Sequence, residues 1–189
     1  MNSGRKKIIL SLTFGLLSGC ASIDKSSHSY KNQYSEAVQQ DGEVIAFLDA
    51  VNNHEIQAAK IIENRTKNRP VLSFAELMIK EHTKNLKETH KISKDQKIPL
   101  RESAKIVSLK DRSEKERHNL RNLHGRELEN AYIDAMVKDH EEALKEIDNF
   151  LKIVNNSILS KHLVNTRQHV KHHLEKAKEI RVERTHFKS

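Results

Sequence analysis

The sequence predicts an all-α protein, and two observations carry this prediction. Apolar residues recur at steps of three and four over long segments, which places them on one face of an α-helix. From residue 41 onward, the residues that break helices are few and fall at the boundaries of these segments: Gly42, Pro70, Pro99 and Gly125. No segment alternates apolar and polar residues with the period of two that is typical of strands. We therefore expect helices and essentially no β-sheet.

The breakers divide the chain into four long amphipathic helices and one polar helix. We expect the long helices at residues 41–68, 70–95, 126–154 and 158–184, and the polar helix at residues 102–123. Short turns join the first two long helices and the last two, whereas a long connection separates the two pairs. Two antiparallel hairpins joined by one long crossover are the arrangement of ferritin-like bundles. The sequence thus predicts a ferritin-like four-helix bundle with a helix in the crossover.

The N-terminus has the parts of a bacterial lipoprotein signal. A basic segment at residues 5–7 precedes the apolar segment "IILSLTFGLL" at residues 8–17, which is shorter than the ~20 residues of a membrane-spanning helix. The segment "LSGC" then ends at Cys20, the only cysteine of the chain. A signal peptidase needs small side chains here, and a thiolate is nucleophilic enough to accept a diacylglycerol. We expect residues 1–19 to be removed and Cys20 to be lipidated; the alternative is a secretory signal with an incidental buried cysteine.

Lipidation of Cys20 would anchor the protein to membrane lipid through acyl chains such as palmitate. Ala21 follows the cysteine, in place of an aspartate that would favour retention in the inner membrane. We therefore expect an outer-membrane lipoprotein facing the periplasm, although a Gram-positive surface lipoprotein would have a similar sequence. Residues 20–40 are polar and predict a flexible tether, or an extra helical turn at its end. Residues 41–184 then form the bundle domain, and residues 185–189 form a tail.

Composition and charge argue against nucleic acid as a partner. The formal net charge is +8, but the charged residues of both signs are interleaved, which is typical of a solvated helical surface. Aromatic residues make up 4% of the chain and Trp is absent, so side chains that stack on bases are scarce. The sequence also lacks a nucleophile elbow, a phosphate loop, HExxH and CxxC. We favour a non-enzymatic protein, and the sequence does not indicate which proteins it binds.

One polar residue interrupts the apolar stripe of each long helix: Glu55, His82, His140 and His173. Within each hairpin, the two polar residues are almost equally far from the turn, so they lie at one level. A carboxylate and three imidazoles have the ligand types for a single transition-metal ion. Two alternatives stay open. In one, Glu55 pairs with a protonated histidine in a hydrogen-bonded layer. In the other, these residues lie at the edges of their helices.

A di-iron carboxylate site does not fit this pattern. Such a site needs a glutamate from each of two helices and Glu-x-x-His on the other two. Here Glu81 is followed three residues later by Lys84, and Asp139 by Glu142. The pattern therefore argues against ferroxidase or oxygen-activating chemistry.

Three more histidines lie on the last predicted helix: His162, His169 and His172. They fall on its polar face. We expect them in solvent rather than among ligands.

Five segments between residues 41 and 181 resemble the domain-of-unknown-function 4142 family. In chain order they are "VIAFLDAVNNHEIQAAKI", "FAELMIKEHTKN", "QKIPL", "ENAYIDAMVKDHEEAL" and "HHLEKAKEI". Members of this family resemble exported ferritin-like helical bundles and are often labelled predicted outer-membrane proteins. The resemblance implies no established activity.

The resemblance also places the family's polar residues on this chain. They fall on Glu55, Glu81, His82, Asp139, His140 and His173. Glu81 departs from the pattern, because the family usually has an aspartate there. From these matches we expect Glu81 and Asp139 to support the layer histidines from outside the site. The expected function is an envelope-anchored helical module for binding or stress protection; the alternative is a periplasmic protein that binds a metal ion through the Glu/His layer.

Overall fold

Five α-helices make up the part of the chain that this computed structural model describes, residues 25–186, with side chains from residue 35 to residue 183. The helices are α1 (Lys25–Glu63), α2 (Arg69–Asp95), α3 (Ala104–Asn122), α4 (Gly125–Phe150) and α5 (Ser157–His186). No strand occurs within residues 25–186. The all-α prediction is therefore confirmed, and α3 lies where the polar helix was expected.

The long helices α1, α2, α4 and α5 pack around the core, and each contacts two of the others. The α1–α2 and α4–α5 contacts follow from the short turns between these helices, and further contacts join α2 to α5 and α1 to α4. Helix α3 packs along α1 and also contacts α4. None of the described helices is long and apolar enough to cross a membrane.

The buried apolar side chains form two clusters rather than one. One cluster includes Met78 and Met136, and the other includes Leu48 and Ile147. On α4 the change from one cluster to the other falls between Met136 and Ala143. The polar residues that interrupt the apolar stripes occupy the level between the two clusters.

Local signals explain where three of the helices begin. The Asn68 side chain accepts a hydrogen bond from the Val71 N–H, and Pro70 occupies the first turn of α2. The Ser103 hydroxyl accepts from the Ile106 N–H at the start of α3. Helix α4 begins at Gly125, whose φ of 52° suits a residue without a side chain. These helices begin within two residues of their predicted positions.

Helix α1 begins earlier than expected, at Lys25 rather than Asp41. The prediction of a flexible tether is therefore wrong for residues 25–40, where only an extra turn had been considered. Asp41 does not cap α1; its carboxylate accepts the backbone N–H groups of Asn155 and Asn156, ahead of α5. The polar segment contains no helix breaker, so nothing in it ends the helix. Cys20 and the signal segment lie outside the described residues, as do residues 187–189.

Gly42 was expected at a helix boundary but lies inside α1. The segment before α3 crosses α1 at this point, and the Arg101 N–H donates to the Gly42 carbonyl oxygen at 3.0 Å. A Cβ atom on Gly42 would lie 2.5 Å from the carbonyl oxygen of Pro99. A glycine is thus needed here because two backbone segments approach closely.

We predict that Gly42→Ala destabilises the protein. Replacing glycine by alanine in a helix interior normally stabilises by about 1 kcal/mol. Here the new methyl group would displace Pro99, so the free energy of unfolding should fall instead. Urea unfolding measures this change, with Gln39→Ala on the exposed face of α1 as the control. An increase in stability for Gly42→Ala would contradict the close approach.

Candidate metal centre

The structure brings the four polar stripe residues into one layer of the core. They are 1% to 5% exposed and come from four helices: Glu55 from α1, His82 from α2, His140 from α4 and His173 from α5. The three imidazole rings are mutual neighbours, with centroids 5.3–5.9 Å apart. One nitrogen of each ring lies within 4.8 Å of the others. None of these residues lies at an exposed helix edge.

An outer hydrogen bond fixes each imidazole ring. His82 Nδ1 donates to Asn52 Oδ1 at 2.9 Å. His140 Nδ1 donates to the Met136 carbonyl oxygen at 2.8 Å. His173 Nε2 donates to Glu81 Oε2 at 2.7 Å. Because all three partners accept, the bonded ring nitrogen carries a proton in each case.

The orientation of Asn52 confirms that it accepts from His82. Its Nδ2 group donates to the Leu48 carbonyl oxygen at 2.7 Å and to Asn85 Oδ1 at 2.8 Å. Its Oδ1 atom is therefore the one that faces His82. This fixes the tautomer of His82 with the proton on Nδ1.

The second nitrogen of each ring has no hydrogen-bond partner among the described residues. These atoms are His82 Nε2, His140 Nε2 and His173 Nδ1, and all three are buried. In a neutral ring protonated at the outer nitrogen, the second nitrogen carries a lone pair. Three buried lone pairs in one layer form a set of donors suited to a metal ion.

Burial favours the neutral form of all three rings. It lowers the pKa of His82 well below its usual value and that of His140 to about 4. It also lowers the pKa of His173, although the hydrogen bond to Glu81 opposes this effect. Neutral imidazole is the form that binds metal ions.

Glu55 flanks the three histidines but does not belong to their group of mutually close ligand atoms. Its Oε1 atom lies 3.8 Å from His140 Nδ1, beyond hydrogen-bond distance, and its Oε2 atom has no described partner. Burial raises the pKa of Glu55 to about 8. The Tyr132 hydroxyl is also buried without a described partner. The lowered pKa of His140 opposes the alternative in which Glu55 pairs with a protonated histidine.

The two carboxylates that we expected beside the histidines have different positions. Glu81 accepts from His173 in the layer and also from His169 Nδ1 at 3.1 Å. Asp139 contacts none of the three histidines; its carboxylate lies 3.2 Å from His54 Nε2. The prediction for Asp139 is therefore wrong. The Asp139 side chain points in a different direction from that of its neighbour His140, because successive residues on a helix are rotated by about 100°.

His54 is the centre of a second cluster, which the sequence reading missed. It is buried, and its Nε2 atom lies 3.1 Å from Glu116 Oε1 as well as close to Asp139. Arg117 Nη1 donates to His54 Nδ1 at 2.9 Å. The sequence predicted α3 only as a polar helix, although its buried residues follow a helical period. These are Ile106, Ser113, Arg117 and Leu120.

The His54 cluster does not suit a metal ion as arranged. Burial lowers the pKa of His54, but the hydrogen bonds to Asp139 and Glu116 outweigh burial and raise it to about 10. The Arg117 contact favours a neutral ring with a lone pair on Nδ1. In either state Nε2 carries a proton, so no lone pair faces the carboxylates. The cluster is an ion-pair network that joins α1, α3 and α4.

His162 was expected in solvent but is 3% exposed. Its Nε2 atom lies 2.9 Å from the Thr89 hydroxyl, which donates to the Asn85 carbonyl oxygen. His162 therefore donates to Thr89 and is part of the packing between α2 and α5. His169 and His172 are exposed, as expected.

The fold and the layer define an all-helical domain with a cluster of histidines in its core. The chain belongs to the family described as "Domain of unknown function (DUF4142)", whose model matches residues 26–180. No curated protein shows significant similarity to this chain.

Two solved structures share the fold. A DUF305 protein from Streptomyces coelicolor has a TM-score of 0.68 at 12% identity, over 79% of this chain and 96% of its own. A DUF305 fragment from Deinococcus radiodurans has a TM-score of 0.65 at 15% identity, over 76% of this chain and 96% of its own. At these identities the comparison concerns the fold alone.

We predict that the metal-free protein loses stability in acid through the buried histidines. The folded-state pKa of His140, about 4, lies below the ordinary value of 6.5. Its contribution to stability is therefore complete above pH 6.5 and is lost as the pH falls towards 4. That difference corresponds to ~3 kcal/mol.

Urea unfolding with a chelator at pH 7 and pH 4.5 measures this loss. His140→Leu removes the titrating ring, so its loss between the two pH values should be smaller by about 2–3 kcal/mol. Equal losses in the parent and the variant would contradict the assignment of a buried neutral ring.

Proposed function

We propose that this protein binds one divalent first-row transition-metal ion through His82, His140 and His173. One observation carries the proposal: three buried rings each donate outward and each keep an unpartnered nitrogen in the same layer. Imidazole nitrogen suits Zn²⁺, Cu²⁺, Fe²⁺ and Ni²⁺. We take Zn²⁺ as the test ion, because it commonly takes three histidines and a fourth ligand.

The distances support a site that closes around an ion. Zn–N bonds of ~2.0–2.1 Å in a tetrahedral site place ligand nitrogens ~3.4 Å apart. One nitrogen of each ring already lies within 4.8 Å of the others, so rotations of the side chains would complete the site. The outer hydrogen bonds would orient the rings, as the partners of metal-bound histidines commonly do.

Glu55 is the proposed fourth ligand. Its carboxylate is buried in the same layer beside His140, and its Oε2 atom has no described partner. A divalent ion bound by three neutral rings would bring two uncompensated positive charges into an apolar core. Ionised Glu55 would neutralise one of them. Glu81 would act from outside the site, since it accepts from His173 and thereby makes that ring a better ligand.

The alternative is a structural layer whose free polar atoms are satisfied by water. Leaving a buried donor or acceptor unsatisfied costs about 1–3 kcal/mol. Five such atoms lie on Glu55, Tyr132 and the three histidines, so some occupant is required. A metal site predicts that added metal raises the stability, whereas a layer satisfied by water predicts no change. This difference separates the two functions.

We predict that Zn²⁺ raises the melting temperature of the metal-free chain and binds in a ratio of one ion per chain. At a free concentration of 100 Kd, binding adds about 2.7 kcal/mol to the free energy of unfolding. His140→Ala should abolish the shift, whereas His118→Ala, which removes an exposed histidine on α3, should keep it. Thermal unfolding and elemental analysis after dialysis measure both quantities.

Two results would contradict the metal site. One is an unchanged melting temperature of the parent at saturating Zn²⁺, and the other is an equal shift in the parent and in His140→Ala. If metal has no effect but His140→Ala still destabilises the protein, the layer is structural.

We also propose that the protein is a lipoprotein of the bacterial envelope, anchored through Cys20 to the outer membrane and facing the periplasm. Support comes from the basic segment, the short apolar segment and the small residues before the cysteine. In that setting the domain is a non-enzymatic binding module that withdraws a metal ion from solution. We class its helix arrangement as ferritin-like, with α3 in the crossover, because α1, α2, α5 and α4 contact one another in a ring.

We predict that Cys20→Ser prevents lipidation. The variant should leave the membrane-anchored fraction or stay unprocessed, since serine lacks the thiolate that accepts the lipid. Membrane fractionation and intact mass measure this. Normal fractionation with an unchanged mature mass would rule out the lipid anchor.

A further inference from the structure

Two cavities lie on different sides of the histidine layer. A cavity of about 550 Å³ between α1, α3 and α4 is lined by Glu55 and His54 but by none of the three layer histidines. A second cavity of about 480 Å³, between α2 and α5, is lined by His82 and His173. We call the second one the α2–α5 cleft. Of these two cavities, only the α2–α5 cleft is lined by proposed ligands from more than one helix.

A chain of polar side chains connects the mouth of the α2–α5 cleft with the layer. The exposed fraction of the side chain falls from 59% for His169 to 28% for Glu81 and 2% for His173. A single atom, Glu81 Oε2, lies 3.1 Å from His169 Nδ1 and 2.7 Å from His173 Nε2. A carboxylate and an exposed imidazole are thus adjacent to each other and to a proposed ligand. Imidazole nitrogen and carboxylate oxygen are both ligands for divalent transition metals.

The cavity between α1, α3 and α4 is less suitable for a cation. Apart from Glu55, its carboxylates already have partners: Glu146 pairs with Lys105, Glu142 with Arg112, and Glu116 and Asp139 with His54. Three further lysines line it, Lys115, Lys138 and Lys145. A metal ion entering there would meet five cationic side chains, whereas two, Lys80 and Lys84, line the α2–α5 cleft.

We propose that His169 and Glu81 form an outer capture site for the divalent metal ion, which then passes through the α2–α5 cleft to His173 and His82. This inference rests on the proposed metal-binding function. A capture site on the path changes how fast the ion enters and leaves. His169 does not change the final affinity, because it is not part of the filled site, whereas Glu81 also supports His173 there.

The test uses the full chain in detergent, with Zn²⁺ exchanged against a fluorescent chelator in a stopped-flow instrument. His169→Ala should slow uptake and release by the same factor, because it removes a ligand of the capture site. Its Kd should stay unchanged. His172→Ala is the matched control, because His172 is also exposed on α5 with its ring 6.4 Å from His173, compared with 6.5 Å for His169. His172 does not line the cleft, so its removal should leave both rates unchanged.

A second pair of variants tests the route by narrowing each cavity. Asn165→Trp places a large side chain in the α2–α5 cleft and should slow uptake. Leu109→Trp places the same large side chain in the cavity between α1, α3 and α4 and should leave the uptake rate unchanged. Slower uptake in Leu109→Trp with a normal rate in Asn165→Trp would overturn the route. A weaker Kd in His169→Ala with an unchanged uptake rate would overturn the capture role.

These outcomes separate the inference from the function on which it rests. If the parent chain binds no Zn²⁺, both the proposed function and the capture site are wrong. If the parent binds Zn²⁺ and His140→Ala does not, but His169→Ala exchanges the ion at the parent's rate, the capture site alone is wrong.

Discussion

The burial of four titratable side chains in one layer is the constraint on which the rest of the core depends. An apolar core tolerates such groups only when they are neutral, hydrogen-bonded or bound to an ion. Three imidazoles each satisfy one nitrogen with an acceptor outside the layer. The apolar side chains must therefore divide into two clusters, one on each side of the layer. A continuous apolar core would leave these acceptors no place next to the rings.

Polar networks on two sides hold the layer in place, and α1 takes part in both. On one side, Asn52 orients His82 and also bonds Asn85. That network continues from Asn85 through Thr166 to α5. On the other side, His54 joins α1 to Glu116 on α3 and to Asp139 on α4. Since α1 supplies Asn52, His54 and Glu55 within four residues, one helical turn links the layer to its surroundings.

The sequence predicted the layer because a polar residue in an apolar helical stripe is visible without a structure. The equal distances of Glu55 and His82 from their turn also predicted their common level. The surroundings could not be predicted in the same way, because they depend on which helix packs on each side. Asp139 and Glu81 both precede a layer histidine, yet Asp139 faces α1 and α3 whereas Glu81 faces α5. Residue 41 was the expected start of the first helix, but the partners of Asp41 at residues 155 and 156 are distant in the chain.

The charge of the layer would allow the same fold to exist with and without the proposed ion. Burial keeps the three rings neutral and raises the pKa of Glu55 to about 8, so the empty layer carries little charge near neutral pH. The helices can therefore assemble without first burying an ion. A divalent cation would reverse this preference at Glu55, since an adjacent positive charge favours the ionised carboxylate. Glu55 is thus the residue whose charge differs between the two states, and the neutral rings are the residues whose geometry is common to both.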